Sequence, residues 1–183
     1  MKQTDFVILG LLSEAPMTGY QIKRIIDIRF RFFWSESYGQ LYPSLKKLSA
    51  EGYIEEEKSA ADAAPQRAQK AYRLTRRGLE AMRRWLEQPV EKESVRLEIL
   101  LKMYFSHLVG VEVMLSHILR FKEAHERDLH MLDLFDKELT AIEEEDPAHP
   151  TILRVIDFGK KANMAYLDWC RETINFLERR NIK

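Results

Sequence analysis

The 183-residue chain holds a single cysteine, Cys170, so no disulfide can form within it and no cluster of thiolates can hold zinc. Stability has to come from packing. No apolar run approaches membrane-spanning length, and the opening residues lack the basic start, apolar middle and small-residue cleavage site of a secretory signal. A cytoplasmic protein with no membrane partner is expected. Catalytic patterns are missing too: there is no Gly-rich phosphate loop, no Ser or Cys nucleophile motif and no HExxH stretch. The histidines, His107, His117, His125, His130 and His149, share no i, i+4 spacing. No enzyme activity, metal site or cofactor is expected, because such sites need several ligands converging with defined geometry.

The net charge is also zero, with 29 Lys+Arg against 29 Asp+Glu, but the charge is unevenly spread. Residues 1–88 carry a net +4 and residues 89–183 a net −4, which suggests a basic reader joined to an acidic body. The hydrophobic pattern divides the chain at the same place. Thr4 can cap a first helix with Val7, Leu11 and Leu12 on one side, ending before Pro16. Met17, Thr18 and Gly19 read as a short turn. A second helix from Tyr20 carries Ile22, Ile25, Ile26 and Ile28, with Lys23, Arg24 and Arg29 on its wet side. Ser37 offers the next cap; Leu41, Leu45 and Leu48 then repeat at i, i+4, i+7, and Gly52 stops this third helix.

After Gly52 the period changes. Residues 53–58 and 70–75 read as two strands around an exposed loop, 59–69, containing Pro65 and Arg67. Thr75 then caps a fourth helix with Leu79, Met82, Trp85 and Leu86, and Pro89 ends it. Three helices, a hairpin and a trailing helix make a winged helix-turn-helix. Everything beyond Pro89 reads as helix, first over 94–109, then over 111–145. In the second stretch Met114, Ile118, Phe121, His125, Asp128, Leu132, Phe135, Leu139 and Ile142 follow the alternating steps of a coiled-coil seam. A last helix, 151–180, should turn Ile152, Val155, Gly159, Ala162, Tyr166, Trp169 and Leu177 inward and pair antiparallel with it. The expected fold is mostly α: a winged-helix DNA-binding domain over 1–88 and a long-helix dimerisation domain over 89–183.

A helix-turn-helix reads sequence by laying its second motif helix in the major groove, where base edges carry an unambiguous donor and acceptor code. The groove side must therefore be polar. On the third helix Gln40, Pro43, Lys46 and Lys47 point away from the leucine stripe, flanked by Tyr42 and Ser44. Pro43 removes an amide donor, so either the helix begins near Gln40 or it bends at Pro43. Tyr42 is either a core aromatic or a phosphate contact through its hydroxyl. Lys23, Ser37 and Tyr38 extend the candidate surface, and Arg67 and Lys70 sit on the wing, within reach of phosphates or the minor groove. Glu55, Glu56 and Glu57 on the partner strand would repel DNA, so they are expected to face away.

The run Ser37-Tyr38-Gly39-Gln40-Leu41-Tyr42-Pro43-Ser44-Leu45, continuing through Leu48 to Glu51-Gly52-Tyr53-Ile54, resembles the recognition-helix signature of PadR-like transcriptional regulators. Leu9 to Leu12, Thr18 to Ile22 and the strand Tyr72-Arg73-Leu74-Thr75 leading to Gly78 match in order, across about 75 residues in all. The C-terminal half resembles the longer helical domain of PadR-like proteins related to the virulence activator AphA. The resemblance implies a homodimer that binds an inverted repeat in double-stranded DNA, usually as a repressor. It also implies that Tyr20, Gln40, Tyr42, Ser44 and Lys47, with Arg67 and Lys70, occupy DNA-facing positions. A small aromatic effector is a further implied partner, for which Trp85 and Trp169 are candidates; aromatics on helix faces are more often plain core. A coiled-coil scaffold without specific DNA binding is the alternative, but it leaves the recognition-helix pattern unexplained.

Overall fold

The computed structural model describes residues 1–57, 70–91, 95–142 and 147–181, and the chain falls into two compact units, 1–92 and 93–183. The first unit opens with α1 (Gln3–Glu14), whose Ile8, Leu9, Leu11 and Leu12 are buried. Strand β1 (Met17–Thr18) and helix α2 (Gly19–Ile25) follow. Thr18 closes a capping box with Gln21: the Gln21 amide donates to Thr18 Oγ1 (3.2 Å) and the Thr18 amide to Gln21 Oε1 (2.8 Å). A π-helical turn, Ile26–Phe30, extends α2. Ile28, expected with the buried isoleucines, is exposed; six positions beyond Ile22 is about 240° further round the helix.

Helix α3 (Tyr38–Ala50) starts at the Ser37 cap and buries Leu41, Leu45 and Leu48. Its end is a Schellman motif: Gly52 takes φ 73°, the Tyr53 amide donates to the Leu48 carbonyl (2.9 Å) and the Gly52 amide to that of Ser49 (3.1 Å). Strands β2 (Ile54–Glu57) and β3 (Ala71–Leu74) then pair antiparallel. Met17 and Thr18 are not a free turn; they pair with Tyr72 and Ala71, giving a three-stranded antiparallel sheet of order β1-β3-β2. Helix α4 (Arg76–Leu86) is capped by Thr75, whose hydroxyl accepts from the Gly78 amide (3.1 Å). It packs through Gly78 and Ala81, with Leu79 and Met82 half-buried and Met82 against the core, while Trp85 and Leu86 are exposed within this unit. Gly78 is needed because a Cβ there would lie 2.2 Å from the Tyr53 carbonyl oxygen.

The second unit contains α5 (Glu98–Tyr104), a 3₁₀ turn (Ser106–Leu108), α6 (Val111–Thr140) and α7 (His149–Asn181). Pro150 is tolerated because first-turn amides have no helical acceptor. The two long helices run antiparallel, with Asp133 meeting Lys160, His125 meeting Asn163 and Phe121 meeting Trp169 as one chain direction ascends and the other descends. On α6 the expected seam holds: Met114, Ile118 and Leu132 are buried and Phe121, His125, Asp128, Phe135 and Leu139 half-buried, although Ile142 is exposed beyond the helix end. On α7 most of the expected inward stripe holds: Gly159 and Leu177 are buried and Ala162, Tyr166 and Trp169 half-buried. Ile156, Gly159, Asn163, Cys170, Thr173 and Leu177 are buried, whereas Ile152 and Val155 are exposed. Small and polar residues, Gly159, Asn163, Cys170 and Thr173, share the buried face of α7 with Ile156 and Leu177.

Candidate nucleic-acid interface

With its leucines turned inward, α3 presents Gly39, Tyr42, Pro43 and Lys46 to solvent. Pro43 sits inside the helix, in its second turn. Tyr38 and Tyr42, one turn apart, are both half exposed and stack with ring centres 5.9 Å apart and planes 18° from parallel. Lys23 of α2 lies over the Tyr38 ring at 5.4 Å and is ion-paired with Asp27, so most of its side chain is covered.

Beside this strip lies a hollow of about 280 Å³ lined by Thr18, Gly19, Tyr20, Tyr42, Lys70 and Tyr72. It joins the start of α2, the exposed face of α3 and the last wing strand. Gly19 makes the junction possible, since a Cβ there would sit 2.9 Å from the Tyr42 ring and 3.0 Å from Leu45. Tyr20, Tyr42 and Lys70, widely separated in the chain, thus share one concave surface. Tyr72 is a further member not among the expected DNA-facing residues; in the sequence it stands out only as part of the wing-strand motif Tyr72-Arg73-Leu74-Thr75. Burial, and then the neighbouring Glu56 charge, push the Tyr72 phenol above its ordinary pKa, so it stays a hydroxyl donor at neutral pH.

Two residues expected on the groove side point the other way. Ser44 is buried, and Lys47 Nζ bonds Asp5 Oδ2 of α1 at 2.9 Å. Ser44 lies about 65° and Lys47 about 125° from the centre of the leucine stripe, on the flank that meets α1. Asp5 is 0% exposed. Burial raises its pKa, but the Lys2 amide, the Lys47 ammonium and the Ser44 hydroxyl outweigh burial and hold it below the usual carboxylate range. A second buried carboxylate, Glu36, accepts from Thr4 Oγ1 and Trp34 Nε1, each at 2.9 Å, immediately before the Ser37 cap. Asp5 and Glu36 therefore tie the beginning of α1 to the recognition helix. Neither had a sequence signal, because their partners lie far away in the chain. Gln40 also has a structural role, since its Oε1 accepts from the Ser37 amide (3.0 Å) and hydroxyl (2.9 Å), although the residue is exposed.

The three wing glutamates do not act alike. Glu55 opposes Arg73 and pairs with it at 2.8 Å, whereas Glu56 opposes Tyr72 and pairs with Lys70 at 2.8 Å. Directly opposed residues share a face, so Glu56 lies on the face of the hollow and only Glu55 and Glu57 face away. Hydrogen bonding to Glu56 raises the Lys70 pKa, keeping it cationic. Arg67 falls outside the described residues. Of the two tryptophans, Trp85 stacks on Phe6 at 4.7 Å in the first unit, and Trp169 packs edge-on to Phe121 at 6.2 Å in the second. Among the described residues no group of three His, Cys, Asp or Glu side chains converges on a metal position. Nor is any helix among them long and apolar enough to cross a membrane.

Two family models match the chain: the transcriptional regulator PadR-like family over residues 8–84 and the virulence activator alpha C-terminal domain over 95–178. The negative transcriptional regulator PadR of Bacillus subtilis is 36% identical over 107 residues, a stretch spanning 57% of this chain and 57% of that protein. Its crystal structure in complex with operator DNA superposes with a TM-score of 0.78 at 26% identity, covering 97% of this chain and 98% of that one. The same protein has been solved with p-coumaric acid, at TM-score 0.68 and 26% identity over 95% of this chain and 98% of that one. The PadR-like regulator BC1756 of Bacillus cereus gives a TM-score of 0.78 at 26% identity over 97% and 99% of the two chains. The Vibrio cholerae virulence activator AphA, 19% identical, shares the fold at a TM-score of 0.71 over 97% and 99%.

Proposed function

We propose, from the premise that the chain belongs to the PadR-like family of transcriptional regulators, that it binds an operator in double-stranded DNA as a homodimer and represses transcription. The observation that carries this reading is the continuous exposed surface from Tyr38, Tyr42 and Lys46 of α3 into the hollow of Tyr20, Lys70 and Tyr72. Its middle, α3, enters the major groove; its edge, with Lys70 on the last wing strand, follows the phosphates. Tyr hydroxyls and Lys ammoniums are suited to both kinds of contact. Ser37, Gln40 and Lys23 border the surface, while Ser44 and Lys47 act mainly by holding α3 against α1.

Residues 1–88 are then the DNA-binding domain and 89–183 the dimerisation domain. Exposed apolar side chains in the second unit support this, among them Tyr104 (79% exposed), Leu108 (73%) and Phe158 (67%). Patches of that kind usually mark an interface. Twofold pairing places two recognition helices about one DNA turn apart or a small multiple of it, which matches an inverted repeat. The B. subtilis PadR structure with p-coumaric acid supports a small aromatic effector, for which Trp85 and Trp169 remain the candidates. A repressor of this kind works in the cytoplasm and catalyses nothing.

Selection of bound duplexes from a random pool, followed by mobility shifts across a salt series and light scattering on the full chain, tests the reading. A palindromic consensus, affinity that falls as salt rises and a dimeric mass are expected. A monomer, or binding with neither salt nor sequence dependence, would overturn it.

A further inference from the structure

We propose that Glu56 competes with DNA phosphate for Lys70 and so attenuates the grip of the wing on any duplex. The inference rests on the DNA-binding reading above. Lys70 is the wing cation that lines the hollow, and its ammonium is held 2.8 Å from the Glu56 carboxylate. Both side chains are well exposed, at 65% for Lys70 and 46% for Glu56. An exposed pair of this kind is weak and screened by salt, so Lys70 can exchange its partner when a phosphate arrives. The carboxylate cannot leave with the exchange. Glu56 sits on a β-ladder opposite Tyr72, so its charge stays on the face the phosphate approaches.

Two consequences follow. Part of the attraction of Lys70 for the backbone is cancelled, and fewer counterions are displaced when the wing docks, which flattens the salt dependence. The penalty falls on backbone contact, which every duplex offers, so Glu56 lowers affinity without choosing a sequence. Glu55 supplies the internal comparison: it carries the same charge one residue away, but pairs with Arg73 on the opposite face of the strand.

The experiment measures binding of the full chain, Glu56→Gln, Glu55→Gln, Lys70→Ala and the Glu56→Gln Lys70→Ala double variant. Each is titrated with the selected duplex and with a duplex of unselected sequence, across a salt series. Glu56→Gln should tighten binding to both duplexes by about threefold to tenfold at low salt, with the gain shrinking as salt rises. Its log-log salt slope should be steeper, by up to about 0.9 for one added phosphate contact. The steeper slope should vanish in the double variant, where Lys70 has no contact to gain, and Glu55→Gln should show little change in affinity or slope. Unchanged affinity in Glu56→Gln, an equal gain in Glu55→Gln, or a slope increase that survives loss of Lys70 would each overturn the proposal. Absence of salt-dependent binding by the unaltered chain would instead remove the DNA-binding reading itself.

Discussion

Replacing Lys47 by methionine should destabilise the first unit although Lys47 lies on the helix assigned to DNA. Its ammonium is the cationic partner of Asp5, whose side chain is 1% exposed against 42% for Lys47. Removing one member of a fully buried ion pair costs about 3–5 kcal/mol, because the other charge is left in a poor medium. Water can partly replace an ammonium that is nearly half exposed, so the expected loss is smaller, about 2–3 kcal/mol. The sign of the pH dependence distinguishes this from a simple packing defect. In the unaltered chain the Asp5 pKa is lowered, so its contribution is present above the unfolded carboxylate value of about 3.9 and is lost as pH falls through the lower folded value. In Lys47→Met burial remains while the Lys47 contribution disappears, so the Asp5 pKa rises. The variant then suffers most near neutral pH, and the stability gap narrows on acidification toward pH 4 and below. Urea unfolding at several pH values measures the gap. A loss under about 0.5 kcal/mol, the scale of ordinary surface changes, or a gap independent of pH, would refute the role given to Asp5. Asp5→Asn in the Lys47→Met background should recover part of the loss, since an amide needs no counter-charge.

Lys46, exposed and without an ion pair among the described residues, should behave oppositely: Lys46→Ala leaves thermal unfolding unchanged. It weakens binding of the selected duplex by about 1–3 kcal/mol if the lost contact is to a base, or lowers the salt slope by about 0.9 if it is to a phosphate; unaltered binding would mean that the wrong side of α3 faces DNA. Gly78→Ala should lower stability by about 3 kcal/mol or more, beyond ordinary overpacking, because the new methyl would lie 2.2 Å from a backbone carbonyl oxygen. A thermal midpoint within a degree or two of the unaltered chain would contradict that packing.

What could be read from sequence was what repeats locally. The Ser37 cap, the Leu41, Leu45 and Leu48 stripe and the Gly52 stop all lie within one helix and its ends, and each appears in the structure as expected. The two-residue strand β1 was illegible because two residues carry no alternation; only its pairing with Tyr72 and Ala71 defines it. The Asp5 to Lys47 bond joins positions 42 apart, and nothing near either residue announces the other. The faces of Glu55 and Glu56 depended on strand register, where a shift of one residue exchanges the two sides of a strand. In α7 the expected stripe held from Gly159 to Leu177 but failed at Ile152 and Val155, and it missed Asn163, Cys170 and Thr173, whose small or polar side chains gave no apolar signal of burial.

That seam bears on how the second unit reaches its native pairing. His125 Nδ1 and Asn163 Oδ1 meet at 2.7 Å, and the Asn163 amide donates to the Gly159 carbonyl at 2.8 Å. Two long antiparallel helices could pair in more than one alignment. Sliding α7 by one heptad would bring Ile156 or Cys170 opposite His125 and take from the half-buried ring nitrogen and the buried Asn163 side chain the partner each has in the native pairing. Each such orphan costs about 1–3 kcal/mol. The pair therefore acts on the wrong alignments more than on the right one: it makes a misaligned hairpin short-lived, so that the chain unzips and tries again before it is trapped.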